Sequence, residues 1–395
     1  MYGTINHVNH AIYIANQNHG GIRTLKNKFK KASLLTVSAL IGASALGASV
    51  AIVPAFAKSR VAHRDNSVVK LQETGSTLLF PLFQLWVPAY KKVAPNVQIT
   101  PSGTGSGTGI QQASDGTVQI GASDAYMSTS QLQTTPGILN IPLAISAQQV
   151  MYHIPGVSKN VHLKLTGNIL AQIYTGKIRY WNDPQIAKLN KGVKLPHNAI
   201  VPIHRQDASG DTFLFTQFLT DTNANWSRTV QYGASVSWPS VPGALGAQGN
   251  QGVVQTAVNT PNSVAYVGIS WLDQGLQHGL GEALLQNKAG QFLLPNTTTI
   301  KSAANAMIGK TPKDERISLI YAPGKNSYPI INYEYAIVNQ KQANAATANA
   351  VKKLLDWAIS PSGGNKAVFM QKVHFLPLPA SIQPLSKTQI NKIHG

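Results

Sequence analysis

Two rhythms of apolar positions alternate at the start of the mature part of the chain. Residues 68–71 (Val-Val-Lys-Leu) form a short run of strand character that passes into Glu73-Thr74-Gly75-Ser76-Thr77. Beyond it, Leu78, Leu79, Leu82, Leu85, Trp86, Ala89 and Tyr90 recur at the spacing of one helix face. Pro81 falls in the opening turn of that helix, where a missing N–H is tolerated. The rhythm repeats. Residues 97–100 predict a second strand, residues 102–109 are a stretch of Ser, Thr and Gly, residues 110–113 continue as helix, and residues 118–121 predict a third strand ending in Ala122-Ser123-Asp124. Strand, small-residue loop, helix and strand in succession is the βαβ pattern of an α/β domain.

Further along, residues 144–152 predict a long strand and residues 166–174 a helix, followed by a turn-rich segment through residue 184. Residues 200–204 predict a strand that runs into Arg205-Gln206-Asp207-Ala208-Ser209-Gly210-Asp211-Thr212, and a helix carrying Phe213, Phe215, Phe218 and Leu219 follows. Residues 226–265 are rich in Gly, Pro, Ser and Asn, with strand-like fragments. Residues 330–338 read as strand and residues 347–359 as an amphipathic helix, and no internal repeat or heptad run is visible.

The N-terminus changes this picture. A basic cluster at residues 26–31 precedes an uncharged stretch from Ala32 to Ala57 that ends Pro54-Ala55-Phe56-Ala57. A positive flank, an apolar run and an A-x-A site describe a secretory signal peptide cleaved after Ala57. An uncleaved membrane anchor is the alternative, because the run reaches the ~20 residues a bilayer requires. Residues 1–57 are therefore assigned to a leader and kept out of the fold. The chain has 395 residues and no cysteine. That excludes disulfides, thiolate metal sites, thiol nucleophiles and a lipid anchor on cysteine. Lys and Arg number 33 against 14 Asp and Glu, for a net charge of +19. Such a charge attracts anions. The scarcity of carboxylates also suits a protein that works in an acidic medium, where ionised carboxylates would protonate. No dense basic run with interleaved aromatics points to nucleic acid.

The candidate chemistry lies in three loops of one design, in which a strand enters small hydroxyl-bearing residues: Gly75-Ser76-Thr77, Gly105-Ser106-Gly107 and Ser209-Gly210-Asp211-Thr212. The free N–H groups and positive dipole end at a helix start favour an anion. Glycine permits close approach, and Ser and Thr add hydroxyl donors. Any one of these loops alone is also an ordinary helix cap. Arg205 adds a fixed guanidinium suited to bidentate contact with an oxyanion, with Asp207 two residues away to orient it. Asp124 is the informative oddity, since a carboxylate at an anion site makes sense only if the ligand has a proton to donate. Hydrogen phosphate has one and sulfate has none. A charge-assisted hydrogen bond is worth ~1.5–3 kcal/mol, so one such acceptor separates the two ions.

Other motifs fail. The glycines at 103, 105, 107 and 109 are not the G-x-G-x-x-G of a dinucleotide site, and there is no phosphate-binding G-x-x-x-x-G-K-[ST]. The histidines show no metal-ligand spacing, and His204 beside Arg205 reads as a strand-end residue rather than a general base.

The segments Glu73-Thr-Gly-Ser-Thr-Leu-Leu79, Gly103-Thr-Gly-Ser-Gly107, Gly121-Ala-Ser-Asp124, the stretch from Gly176 to Pro184, and Arg205-Gln-Asp-Ala-Ser-Gly-Asp-Thr212 resemble the PstS family, the phosphate-binding proteins of the phosphate-specific ABC importer. Ser263-Val-Ala-Tyr-Val-Gly268 and Tyr328-Pro-Ile-Ile-Asn-Tyr333 agree with it. The resemblance implies a two-domain, type II periplasmic-binding-protein fold of the α/β class with a ligand cleft between domains. Residues 58–145 plus 330–395 would form domain I and residues 146–329 domain II. It implies a phosphate shell of Ser76, Thr77, Leu78, Ser106, Asp124, Arg205, Ser209, Gly210 and Asp211, with Asp207 supporting Arg205. Many family members carry Thr where Asp211 stands. The carboxylate of Asp211 is then expected to help the site accept dihydrogen phosphate. The implied partners are inorganic phosphate and a permease of two membrane subunits plus an ATPase, with the receptor a monomer outside the cytoplasm. No cofactor, metal or catalytic residue is implied. The competing functions are a secreted phosphatase-like enzyme and a receptor for another oxyanion.

Overall fold

The computed structural model describes residues 67–395. The leader and the lead-in to residue 66 lie outside the described residues, and with them the signal-or-anchor expectation. The described chain is built on a parallel ladder in which β1 (Val69–Gly75) pairs with β2 (Val97–Gly103) on one side and β3 (Ile120–Ser123) on the other. In β2 the first four residues alternate buried and exposed, as suits a strand at a sheet edge with one covered face. β4 (Ile138–His153) is a 16-residue strand that is buried along almost its whole length, and its near-continuous apolar sequence reflects cover on both faces. The remaining main strands are β5 (Val201–Arg205), β6 (Leu245–Ala247), β7 (Ser263–Gly268) and β8 (Ile331–Asn339). Their order in the sheet is β2-β1-β3-β8-β4-β7-β5-β6.

β4 belongs to both halves of this sheet. Its residues from Ile138 to Ala147 pair antiparallel with β8, and its residues from Gln148 to His153 pair antiparallel with β7. On the far side of β7 the order turns parallel again through β5 and β6. Each half thus has its own small parallel ladder, and one long strand joins them. β4 begins six residues earlier than the apolar run at 144–152 predicts. Pro142 lies in that added part, at a break in register where Glu334 pairs with Ala144 but Tyr335 pairs with Pro142. A bulge is where a strand tolerates a residue without an N–H.

Helices cover both faces. α1 (Phe80–Val93) has Pro81 in its first turn, Lys91 and Lys92 in its last, and buries Leu82, Phe83, Trp86 and Tyr90. α2 (Ser106–Ser114) lies directly on β3, because neither Gly109 nor Gly121 has a side chain: a Cβ on Gly121 would stand 2.2 Å from the Gly109 carbonyl oxygen. α3 (Gly210–Thr222) follows β5 and α4 (Gly249–Asn259) follows β6. α4 lies inside the stretch where the sequence suggests only strand-like fragments. A further helix at Ala345–Ile359 matches the amphipathic segment expected there.

Candidate functional site

The carboxyl ends of parallel strands are where α/β sheets bind ligands, because the loops there open helices with free N–H groups. Here five such ends meet: β1 ends at Gly75, β2 at Gly103 and β3 at Ser123 in one half, and β5 ends at Arg205 and β6 at Ala247 in the other. The halves touch through small residues. The Gly107 N–H donates to the Ala208 carbonyl at 2.9 Å. A Cβ on Gly210 would stand 2.5 Å from Asp124 Oδ2 and 2.7 Å from Ser106 Oγ. Gly105, at φ +97°, brings its Cα to the carboxylate of Asp207, where a Cβ would stand 2.5 Å away.

The first wall consists of hydroxyls around one carboxyl. Ser76 Oγ donates to Asp124 Oδ1 and accepts from the N–H groups of Leu78 (3.1 Å) and Leu79 (2.8 Å). Ser106, the first residue of α2, donates to Asp124 Oδ2 at 3.2 Å. Asp124 is 2% exposed. Thr77 and Leu78 link this wall to the other half: Thr77 Oγ1 accepts from the backbone N–H and the side chain of Asn250 (3.1 and 3.0 Å), the Thr77 carbonyl accepts from Trp271 Nε1 (2.8 Å), and the Leu78 carbonyl accepts from Ser270 Oγ (2.7 Å).

The second wall is a clamped cation. Arg205 is 2% exposed. Its Nε donates to Asp207 Oδ1 at 2.7 Å, its Nη2 donates to Asp207 Oδ2, and its Nη1 donates to Asp211 Oδ2 at 2.8 Å. Asp211 also accepts from Gln148 Nε2 (3.0 Å) and Asn250 Nδ2 (2.6 Å). Both of its carboxylate oxygens are therefore engaged by protein donors. Ser209 caps α3 by accepting from the Thr212 N–H at 3.4 Å, and Gly210 opens that helix. Behind the wall, Tyr266 accepts from the Arg205 N–H at 2.8 Å. His204 points elsewhere: its ring stacks on Trp238 with centroids 4.7 Å apart.

Residues 60–362 match the PBP superfamily domain. The chain is 33% identical to the phosphate-binding protein PstS of Methanocaldococcus jannaschii over 83% of this chain and 87% of that one. It is 32% identical to PstS of Pasteurella multocida over 81% and 91%. The chain belongs to the PstS family. A phosphate-bound periplasmic phosphate-binding protein, PfluDING, shares the fold with a TM-score of 0.64 at 19% identity, covering 83% of this chain and 99% of that one. A human phosphate-binding apolipoprotein does so with a TM-score of 0.63 at 18% identity over 80% and 93%. The α/β two-domain periplasmic-binding architecture expected from the sequence is the one observed.

The two walls of this PstS-family site differ in charge. Burial, and next the charge of Asp211, push the Asp124 carboxyl up to about 7 against the opposing pull of Ser76 and Arg205. Burial disfavours the guanidinium of Arg205, but Asp207 and then Asp211 outweigh it and hold the side chain above its usual value. Burial likewise works to raise Asp207, and the Arg205 hydrogen bond and charge overcome it, so Asp207 stays below the ordinary carboxylate range. Asp211 is raised, with burial exceeding the pull of Arg205.

All nine expected shell residues lie on the loops that meet here, with Asp207 on Arg205. Sequence reading missed Gln148, Asn250 and Glu334. Asn250 had a signal: residues 245–250 repeat the strand–glycine–polar design of the other loops, and Val253, Val254 and Ala257 follow on one buried helix face. Glu334 had one too, as a carboxylate in the middle of an apolar strand. Among the described residues no group of three or more His, Asp and Glu is arranged to hold a metal ion, and no helix is long and apolar enough to cross a membrane. At the rim, Thr77, Phe80, Gln248, Gln251, Gln255 and Trp271 line a groove of about 520 Å³ between the halves.

Proposed function

We propose that the protein is an extracytoplasmic receptor that captures inorganic phosphate between the two walls and delivers it to an ABC permease of two membrane subunits and an ATPase. The observation that carries this reading is the placement of Asp124. A carboxyl 2% exposed, among hydroxyl donors and opposite a clamped arginine, is a proton acceptor inside an anion site. The hydroxyls of Thr77 and Ser209 and the N–H groups of Gly210 and Asp211 supply donors for phosphate oxygens, beside Ser76, Leu78 and Ser106, whose own donors here hold Asp124 and the first loop. Arg205 supplies the fixed charge, oriented by Asp207. The engaged oxygens of Asp211 favour a positioning role for its side chain, through Arg205, over direct acceptance of a second ligand proton.

Residues 58–145 with 330–395 act as one domain and residues 146–329 as the other. The change of partner along β4 between Ala147 and Gln148 supports a hinge there. The Tyr328 hydroxyl, which donates to the Gln148 carbonyl at 2.9 Å, supports the return crossing beside it. The relatives named phosphate-binding protein support a binding role over an enzymatic one.

Calorimetry with phosphate, arsenate and sulfate tests the reading. Phosphate and arsenate are expected to bind, with sulfate at least tenfold weaker, since one charge-assisted hydrogen bond of about 1.5–3 kcal/mol is lost and repulsion added. Equal binding of sulfate contradicts it, and turnover of a chromogenic phosphate ester contradicts the non-enzymatic part.

A further inference from the structure

Behind Asp124 stands a second carboxyl for which packing gives no reason. Glu334 lies in β8, is fully buried, and is flanked by Tyr333 and Tyr335 in a strand whose other residues are mostly apolar. An apolar side chain would fill that position without the cost of desolvating a carboxylate. Its Oε1 accepts from Ser146 Oγ (2.5 Å) and Asn332 Nδ2 (3.0 Å). Asn332 Nδ2 also reaches the Asp124 carbonyl at 3.2 Å, so one side chain holds both acids in place. Glu334 Oε2 has no donor among the described residues. The carboxyl of Glu334 interacts with that of Asp124. The break in register between β4 and β8 falls at Glu334, and such bulges re-aim side chains beside functional sites.

Two carboxyls in contact need a proton between them. The charged groups around Asp124 are Glu334, Asp211 and Arg205; Glu334 faces Asp124, with the neutral Ser146 and Asn332 on its other side. The proton belongs on Glu334. Burial and then the charge of Asp124 hold Glu334 well above the ordinary carboxylate range, while Asp124 has the Ser76 hydroxyl and Arg205 to favour its ionised form.

We infer that Glu334 is a specificity-determining positioning residue, whose protonated carboxyl donates to Asp124 and keeps Asp124 an acceptor for the ligand's proton. The inference rests on the phosphate reading above. A carboxylate offers about four lone-pair sites. Ser76, Ser106 and Glu334 fill three of those on Asp124, which leaves one aimed at the ligand. Without the donor behind it, Asp124 keeps its proton to higher pH, presents an O–H to the ligand, and no longer rejects an oxyanion that has no proton to give.

The test compares wild type with Glu334→Gln and Glu334→Leu by calorimetry with inorganic phosphate and with sulfate at pH 7.5 to 8, just above the value of about 7 to which burial pushes Asp124. The amide of Gln still donates to Asp124, so this variant keeps the wild-type phosphate-to-sulfate ratio within about threefold, whereas Leu lowers the ratio at least tenfold. Infrared difference spectra supply a readout independent of binding: wild type shows a buried protonated-carboxyl band that Glu334→Gln removes. A Leu variant that discriminates as wild type does, a Gln variant that fails as Leu does, or a band unchanged in Glu334→Gln overturns the inference. Should Leu not fold, the Gln ratio and the infrared band decide it. If wild type itself binds no phosphate, it is the proposed function that fails, and the two failures are distinct.

Discussion

The two walls of the cleft have the same kinds of residues in opposite states. On the second wall, charge is fixed: Arg205 is held by the three hydrogen bonds it donates to two carboxylates, and Asp207 is kept ionised by that contact. On the first wall no cation is present, and the carboxyl of Asp124, with Glu334 behind it, is pushed toward its protonated form by burial. One wall carries a permanent charge and the other carries protons that can move. An anion site needs only the first kind of wall. A site that distinguishes oxyanions by their protons needs both.

The largest expected effect comes from removing the fixed charge. Arg205→Met leaves Asp207 and Asp211 buried and unpaired, and breaking a buried pair in this way costs about 3–5 kcal/mol of stability. Losing two charge-assisted bonds of about 1.5–3 kcal/mol each also lowers phosphate affinity a hundredfold or more. Thermal unfolding and calorimetry check both. A variant with the stability and affinity of wild type would mean that the second wall is not where the charge is held.

A smaller effect tests whether the walls must meet. In Gly210→Ala the new Cβ would stand 2.5 Å from Asp124 Oδ2 and 2.6 Å from Asp124 Cβ. Alanine suits the first turn of a helix, so stability should change little, while phosphate affinity falls about tenfold because the halves are held apart. Unchanged affinity would show that the walls need not approach this closely.

The smallest effect separates the walls by pH. All four glutamates of the chain are buried. Burial pushes Glu315 up to about 8 and Glu282 to about 7, with Asp124 at about 7 by burial and then the charge of Asp211. A carboxyl raised in the folded state contributes stability that is fully present below its unfolded pKa of about 4 and is lost as pH rises through the folded value. The melting temperature should therefore fall by several degrees between pH 5 and pH 8. Asp207, lowered by Arg205, works in the opposite sense: its contribution is present above about pH 4 and is lost as pH falls through its folded value. A melting temperature that rises from pH 5 to pH 8 would contradict this division.

The second wall was more legible in the sequence than the first. Arg205, Asp207 and the Ser209–Gly210 helix start lie within six residues, so local pattern revealed them. Asp124 stood out because a strand-end carboxylate was at odds with the anion-binding loops. Glu334 was hidden because its meaning depends on β8 lying against β3 and β4, more than 180 residues away in sequence from Ser146. Gln148 was missed for a similar reason: it is one polar residue in a long buried strand, and it gains a role only when the start of α3 brings Asp211 against it. Asn250 was lost in a stretch whose Gly, Pro, Ser and Asn content obscured an 11-residue helix. That helix begins at Gly249, whose φ of +63° favours glycine.

The central claim is that Asp124 reads the ligand's proton, and its most direct measurement is the phosphate-to-sulfate affinity ratio of Asp124→Asn at pH 7. Asparagine keeps the shape but can turn an N–H₂ donor toward the ligand, so sulfate should gain, phosphate should lose, and the ratio should fall at least tenfold below that of wild type. A ratio equal to that of wild type would contradict the account.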